Sequence, residues 1–253
     1  MATPSVLAVF AHPDDESLAA GGLLARQAAA GARTAVVTAT WNTGSPRAAE
    51  LAEALRILRA GEPRMLGFAD ARVPDSARGC ARLVDAPLDE VVRRLVVHIR
   101  DFRPEVVVTH DAYGGLTGHP DHVHTHRVAM LGFQAAGLEL MYPDAGAPWR
   151  PDVLLLATHP HSAVPQLRDM IGEQRAVFSV PDHDVTGRVN VTPWLEEKVD
   201  AIMAHRAEVE RGALPGLIAN LAPEAQARLL ATEWYIACGG PSPAIAESLL
   251  TDK

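Results

Sequence analysis

The sequence predicts a three-layer α/β/α sandwich around a mostly parallel, Rossmann-like sheet. Three observations lead there. Short apolar runs alternate with longer helical patterns along the first 160 residues, the rhythm of βαβ units. Glycine or proline punctuates the joints, at Gly31, Gly61 and Pro104. Two of the predicted strands are followed by a His-Pro-Asp run, one directly at His12 and one after a short glycine-rich loop at His119. Open α/β sheets place their ligands at the carboxyl ends of strands.

Each element follows from local pattern. Val6 to Ala11 is an unbroken apolar run and reads as a buried strand. A helix from about residue 17 to 30 ends at Gly31, a good C-cap residue. Ala35 to Thr40 is the second strand, Trp41 to Pro46 a loop, and 47–60 a helix closed by Gly61. A short strand, Arg64 to Gly67, leads into a loop over 68–86 rich in Pro, Asp and Arg. Helix 88–102 lines up Leu88, Val91, Val92, Leu95, Val96 and Ile99 on one face. Pro104 breaks it, and strand 105–109 follows. A helix then runs to about 137, and 138–151 is irregular, with three prolines. Val153 to Thr158 is another buried strand, 163–171 a shorter helix, and Ala176 to Val191 an extended run. Thr192-Pro193 opens a helix to about 210, with proline at its first turn. The remainder reads as mostly helical, interrupted at Pro241-Ser242-Pro243. No domain boundary stands out, so residues 1–253 are expected to form a single domain, with those from about 150 onward an added lobe that walls the site.

The chemistry gathers in two stretches. His12-Pro13-Asp14-Asp15-Glu16 sets one imidazole and three carboxylates within five residues at a strand end. His12 and Asp15 are three apart, and a strand-to-turn break can aim both at one point. A neighbouring carboxylate is then left to handle a proton. Imidazole plus carboxylate suits zinc in a catalytic site that keeps a position open for water. The plainer reading is a turn with an acidic helix N-terminus. Gly118-His119-Pro120-Asp121-His122 repeats the arrangement, with His119 and His122 one helical turn apart. Residue chemistry alone does not choose between Asp14 and Asp15 as ligand and base.

His-Pro-Asp-Asp-Glu near the N-terminus with a downstream His-Pro-Asp-His strongly resembles the LmbE/PIG-L zinc de-N-acetylases. The likeness runs from Val6 to about residue 210 and is specific in the two histidine motifs. It implies a metal-dependent amidohydrolase that removes an N-acetyl or other N-acyl group from an amino sugar or related small metabolite, in natural-product or low-molecular-weight thiol biosynthesis. It implies His12, Asp15 and His122 as ligands of one Zn2+ per chain, with Fe2+ the alternative. Asp14 would be the general base, and His119 would steady the oxyanion or protonate the amine, oriented by Asp121. Two neutral imidazoles and one carboxylate leave the ion net positive, which suits activation of water. Arg47, in an Arg-x-x-Glu pattern with Glu50, and Asp70 would contact substrate. For Arg47 the alternative is a salt-bridged helix turn, for Asp70 a turn residue, and for Asp121 a first-turn acid.

One position departs from the thiol-sugar members of the family, which carry Tyr two residues before the histidine of the second motif. Thr117 stands there, with Tyr113 four residues earlier. Lys198 and His205 resemble the family's late Lys…His pattern, with Glu208 where glutamine is usual. His110 and Asp111, at a strand end, are expected to back the site, and His124 and His126 to be bystanders. Two other readings remain: a hydratase of an unsaturated acid, and a metal-dependent sugar-binding protein without activity. The second carboxylate at Asp14 speaks against the latter.

Composition narrows the partners. The net charge of −8 argues against nucleic acid and anionic membranes. Two widely separated cysteines, Cys80 and Cys238, suggest no disulfide framework and a reducing, cytoplasmic location. No basic segment precedes Val6, so no signal peptide is expected, and no apolar run reaches the ~20 residues of a membrane span. Oligomeric state is not legible.

Overall fold

A computed structural model describes residues 3–172 and 176–250. Of the single domain expected over 1–253, residues 1–2, 173–175 and 251–253 lie outside the described residues. Strands β1 (Val6–Phe10), β2 (Thr34–Thr40), β3 (Arg64–Phe68), β4 (Val106–His110), β5 (Val153–Thr158), β6 (Gly187–Asn190) and β7 (Thr232–Cys238) form one seven-stranded sheet. Its order is β3-β2-β1-β4-β5-β7-β6. The first five strands are parallel, with Val6 opposite both Thr34 and Val106. β7 runs antiparallel to β5, pairing Leu156 with Ile236, and β6 runs antiparallel to β7.

The helices are α1 (Asp15–Ala29), α2 (Pro46–Leu58), α3 (Leu88–Phe102), α4 (Pro120–Ala135), α5 (Val164–Ile171), α6 (Leu195–Ala204), α7 (Arg206–Glu210), α8 (Leu214–Ala219), α9 (Pro223–Leu230) and α10 (Pro243–Leu250). The central strands are buried on both faces, which is why they read as continuous apolar runs. Val6, Ala8 and Phe10 face one core with residues of α1, α2 and α6. Leu7 and Val9 face the other with residues of α3 and α4. The strand order reverses between β1 and β4, and both histidine motifs leave the sheet at that crevice.

Three stretches differ from the sequence reading. The remainder expected to be mostly helical contains β7, a strand whose alternation is masked by the buried, charged Glu233. The helix expected to 210 breaks at His205 (φ −79°, ψ 64°) into α6 and α7. The first helix begins at Asp15, inside the motif rather than after it. The irregular segment after α4 is organised by one buried side chain. Arg100 donates to six main-chain carbonyls between Ala135 and Gly146, satisfying groups that no regular element pairs.

Gly22 lets α1 pack closely. A Cβ on Gly22 would lie 2.1 Å from Val191. Beside it, Glu233 of β7 accepts from the N–H groups of Gly22 and Leu23, from Lys198 Nζ at 2.6 Å and from Tyr235 Oη at 2.8 Å. This buried hub ties β7 and α6, both from beyond residue 150, to the first helix. Among the described residues no helix is long and apolar enough to cross a membrane. Cys80 and Cys238 are free thiols.

Candidate metal and hydrolytic site

β1 and β4 end side by side, and the turn after each presents its histidine motif to the same crevice. The turn after β1 is bent sharply at Asp14, whose φ is 128°. Glu16, fully buried, holds that bend: its carboxylate accepts from Asp14 N at 3.0 Å, Ser17 Oγ at 2.5 Å and His205 Nε2 at 2.9 Å. Burial would raise the Glu16 pKa, but the His205 imidazole outweighs it and holds the carboxyl below its ordinary range. The third carboxylate of the first motif therefore builds the turn.

Three donors meet in the crevice. His12 Nδ1 lies 3.1 Å from His122 Nε2 and 3.3 Å from Asp15 Oδ2, and His122 Nε2 lies 3.2 Å from Asp15 Oδ1. A tetrahedral zinc with bonds of ~2.0–2.1 Å separates its ligand atoms by about 3.3 Å, and each pair of these side chains approaches to that spacing, Asp15 through Oδ2 to His12 and Oδ1 to His122. The tautomer of His122 fits as well. His122 Nδ1–H donates to the Gly114 carbonyl at 3.0 Å, which leaves Nε2 free. His12 Nε2 faces the carboxylates of Asp70 and Asp121 at 3.2 Å each. Burial works to lower its pKa, but Asp121, Asp15 and Asp70 outweigh it and raise the group well above its ordinary value, so an ion bound at Nδ1 takes the place of a proton. Burial drives the His122 pKa well down, keeping it a neutral donor. Burial works to raise Asp15, but His122 and His110 outweigh it and hold the group well below the carboxylate range. Donor atoms close enough to share one ion also group as His12 with His119 and His122, as His12 with Asp70, His119 and Asp121, and as Asp15 with His110 and His122, so His122 joins both His12 and Asp15 in such sets. The buried His/Asp cluster can hold a metal ion.

Asp14 stands beside the cluster with a different environment. Burial pushes its pKa up to about 7, against the pull of Arg47 and with help from the Asp15 charge. Arg47 Nη2 is 3.2 Å from Asp14 Oδ1, and its Nη1 is 3.1 Å from Glu208 Oε1. Arg47 also donates to the Pro13 carbonyl and stacks over Trp41 at 4.8 Å. It is 4% exposed, so it is not a solvated helix turn. Glu50, its expected partner, instead accepts from Ala207 N at 3.0 Å.

His119 caps α4, its Nδ1 accepting from Asp121 N at 3.2 Å, so its neutral ring carries the proton on Nε2. Burial, then the neighbouring His12 charge, brings its pKa down to about 4. The Asp121 carboxylate is 3.8 Å from His119 but 3.2 Å from His12, and it accepts from Ala71 N at 2.9 Å. Its Oδ1 is buried without a partner. Asp70 is a turn residue and a site residue at once. Oδ1 accepts from Arg72 N and Val73 N while Oδ2 faces His12.

All eight residues singled out from the sequence lie around this crevice. His110 stacks on His122 at 4.0 Å between ring centroids, and Asp111 accepts from Thr158 Oγ1 at 2.6 Å. His126 bonds the His110 carbonyl at 2.9 Å. Tyr113 stacks with Phe178 at the rim and is half exposed. Glu208 was legible only as a departure from a pattern, and its pairing with Arg47 spans 161 residues, which no local signal encodes.

Comparison with known proteins points to one family. The family described as PIG-L, GlcNAc-PI de-N-acetylase, matches residues 7–131. A 1D-myo-inositol 2-acetamido-2-deoxy-alpha-D-glucopyranoside deacetylase of Rhodococcus opacus is 37% identical over 244 residues, covering 83% of each chain. Among solved structures, the N,N'-diacetylchitobiose deacetylase of Pyrococcus horikoshii superimposes with a TM-score of 0.63 at 19% identity, over 93% of this chain and 84% of that one. A 4-carboxy-2-hydroxymuconate hydratase of Pseudomonas putida gives 0.59 at 19%, over 94% and 97%. At that identity the two structures share the fold, and the fold hosts both hydrolysis and hydration.

Proposed function

The chain belongs to the PIG-L family of GlcNAc-PI de-N-acetylases, and from that membership we propose that it hydrolyses the N-acetyl or other N-acyl group of a 2-amino sugar, with one zinc ion held by His12, Asp15 and His122. The approach of those three side chains to within 3.1–3.3 Å of one another, with Asp15 turning a different oxygen to each histidine, is the observation that carries this reading. When bound, the ion supplies Lewis acidity for the amide carbonyl and for the attacking water.

The other groups have defined tasks. Asp14 takes a proton from water and passes it to the departing nitrogen, a role suited to a carboxyl that titrates near neutrality. Arg47 holds Asp14 in place and keeps part of its population ionised. His119 points Nε2–H at the carbonyl oxygen as negative charge grows there. Asp121 fixes His119 through its main-chain N–H and His12 through its carboxylate. Asp70 accepts from sugar hydroxyls. Water's oxygen joins the acyl carbon, the C–N bond breaks, and a carboxylic acid and an amine result. The substrate is a free small molecule, the reaction is cytoplasmic, and the whole chain acts as one domain whose later part walls the crevice.

The test is release of primary amine from 2-acetamido sugars, including an inositol glycoside, by zinc-loaded protein. Amine release that a chelator abolishes supports the reading. Loss of conjugated absorbance from unsaturated acids, without amine release, would replace it with the hydratase.

A further inference from the structure

Behind the metal cluster, away from Arg47 and Asp14, lies a cavity of about 110 Å³. Asp15, His110 and His122 form one end of it. Its walls are Leu116, Leu167, Met170, Leu214, Leu229 and Trp234. These belong to a hydrophobic cluster separate from the two cores that flank the sheet. Met170, Leu214, Leu229 and Trp234 are only half buried, so large apolar side chains keep open surface against the space.

The charged groups on the wall away from the metal cluster are paired. Lys198 and Glu233 bond each other at 2.6 Å, Thr158 donates to Asp111, and His159, neutral through burial, keeps its Nδ1 buried without a partner. With Thr117 and Thr232 these are few polar groups for the many hydroxyls of a sugar. Asp14, Arg47, Asp70 and His119, the polar groups of the cluster, take no part in lining this cavity. A water needs ~10–15 Å³ of such space, so the cavity has room for roughly seven to eleven water-sized groups. The methyl of an acetyl group would leave most of it empty.

We propose that the amide carries an acyl chain longer than acetyl, in the butanoyl-to-octanoyl range, whose hydrocarbon tail lies in this cavity. The inference rests on the hydrolase reading above and names its substrate class: an N-acyl amino sugar with a medium-length chain. The hydrocarbon end of the amide lies on the apolar side of Asp15 and His122, and the amino sugar lies on the polar side. Water's oxygen bonds to the acyl carbon as the C–N bond breaks. One water proton ends on the sugar nitrogen, and the acid ionises, so octanoyl substrate yields octanoate and free amine.

The experiment compares N-acetyl-, N-butanoyl-, N-hexanoyl- and N-octanoylglucosamine with the zinc-loaded full chain. Burial of each methylene is expected to raise kcat/KM about threefold over the first few carbons, with octanoyl at least tenfold above acetyl. Ala19→Leu and Leu229→Trp enter the cavity from α1 and α9, and each should lower the octanoyl-to-acetyl ratio about tenfold. Calorimetric binding of octanoate, absent for acetate and weakened in both variants, is a readout independent of turnover. Amine release from the acetyl sugar with no gain on lengthening the chain overturns the cavity's role and leaves the hydrolase reading standing. Release from no acyl sugar overturns both. The wild-type series decides by itself if either variant fails to fold.

Discussion

The Nη2 of Arg47 lies 3.2 Å from Oδ1 of Asp14, and both side chains are buried. The contact joins the helix after β2 to the turn after β1, thirty-three residues apart in the chain. It opposes burial and the Asp15 charge, which together push Asp14 upward, and the balance leaves Asp14 near 7. A carboxyl so placed can both accept and return a proton at neutral pH.

Arg47→Ala removes the charge that pulls Asp14 down, so the Asp14 pKa rises. The acid limb of the kcat profile should move to higher pH, with activity at pH 7 lost and partly recovered toward pH 9. Metal content should stay near one per chain. A limb that does not move would mean that Arg47 acts elsewhere.

Asp14→Asn keeps volume but cannot take a proton. Turnover should fall by roughly a hundredfold or more, with metal retained. Asp15→Ala should lose metal and activity together. Metal analysis beside kcat in the two variants is the measurement; a metal-free Asp14→Asn with a metal-replete Asp15→Ala would reverse the two roles.

The raised pKa of Asp14 also bears on stability. Its folded value exceeds the ordinary carboxylate value, so the group's contribution is fully present below about pH 4 and is lost as pH rises through about 7. Metal-free Asp14→Asn should therefore melt above metal-free wild type at pH 8, with the gap closing below pH 4. Thermal melts across that range check the sign.

His12→Ala and His122→Ala should each remove most of the bound metal, read by elemental analysis, and abolish the rise in Tm that added zinc produces in wild type. Full metal retention in both would refute the donor set.

Lys198→Met leaves Glu233 as a buried charge without its cationic partner. Breaking such a pair costs about 3–5 kcal/mol. In a chain of this size that lowers Tm by roughly 10 °C, at ~2–4 °C per kcal/mol. The loss should exceed that of Arg56→Met, whose pairing with Glu53 is on the surface.

The sequence by itself determined the sheet's first five strands, the helices between them and the two motifs at the crevice. Those features are local: a strand buried on both faces is apolar along its whole length, and an amphipathic helix repeats every turn. It also placed His12, Asp15, His119 and His122 close together in prospect, because each motif follows a strand end. Only the tertiary structure decided what the remaining polar groups do. Glu233 hides β7 from a periodicity reading because its partners, Lys198 and the main chain of Gly22, come from α6 and α1. His205 breaks a helix because it must reach Glu16, 189 residues away. Arg47 turns from Glu50, one helical turn along, to Asp14 and Glu208. The apolar cavity is built from α1, α5, α8, α9 and β7 together. A buried charge must find its counter-charge wherever packing puts one, and packing between elements more than a hundred residues apart leaves no period in the chain.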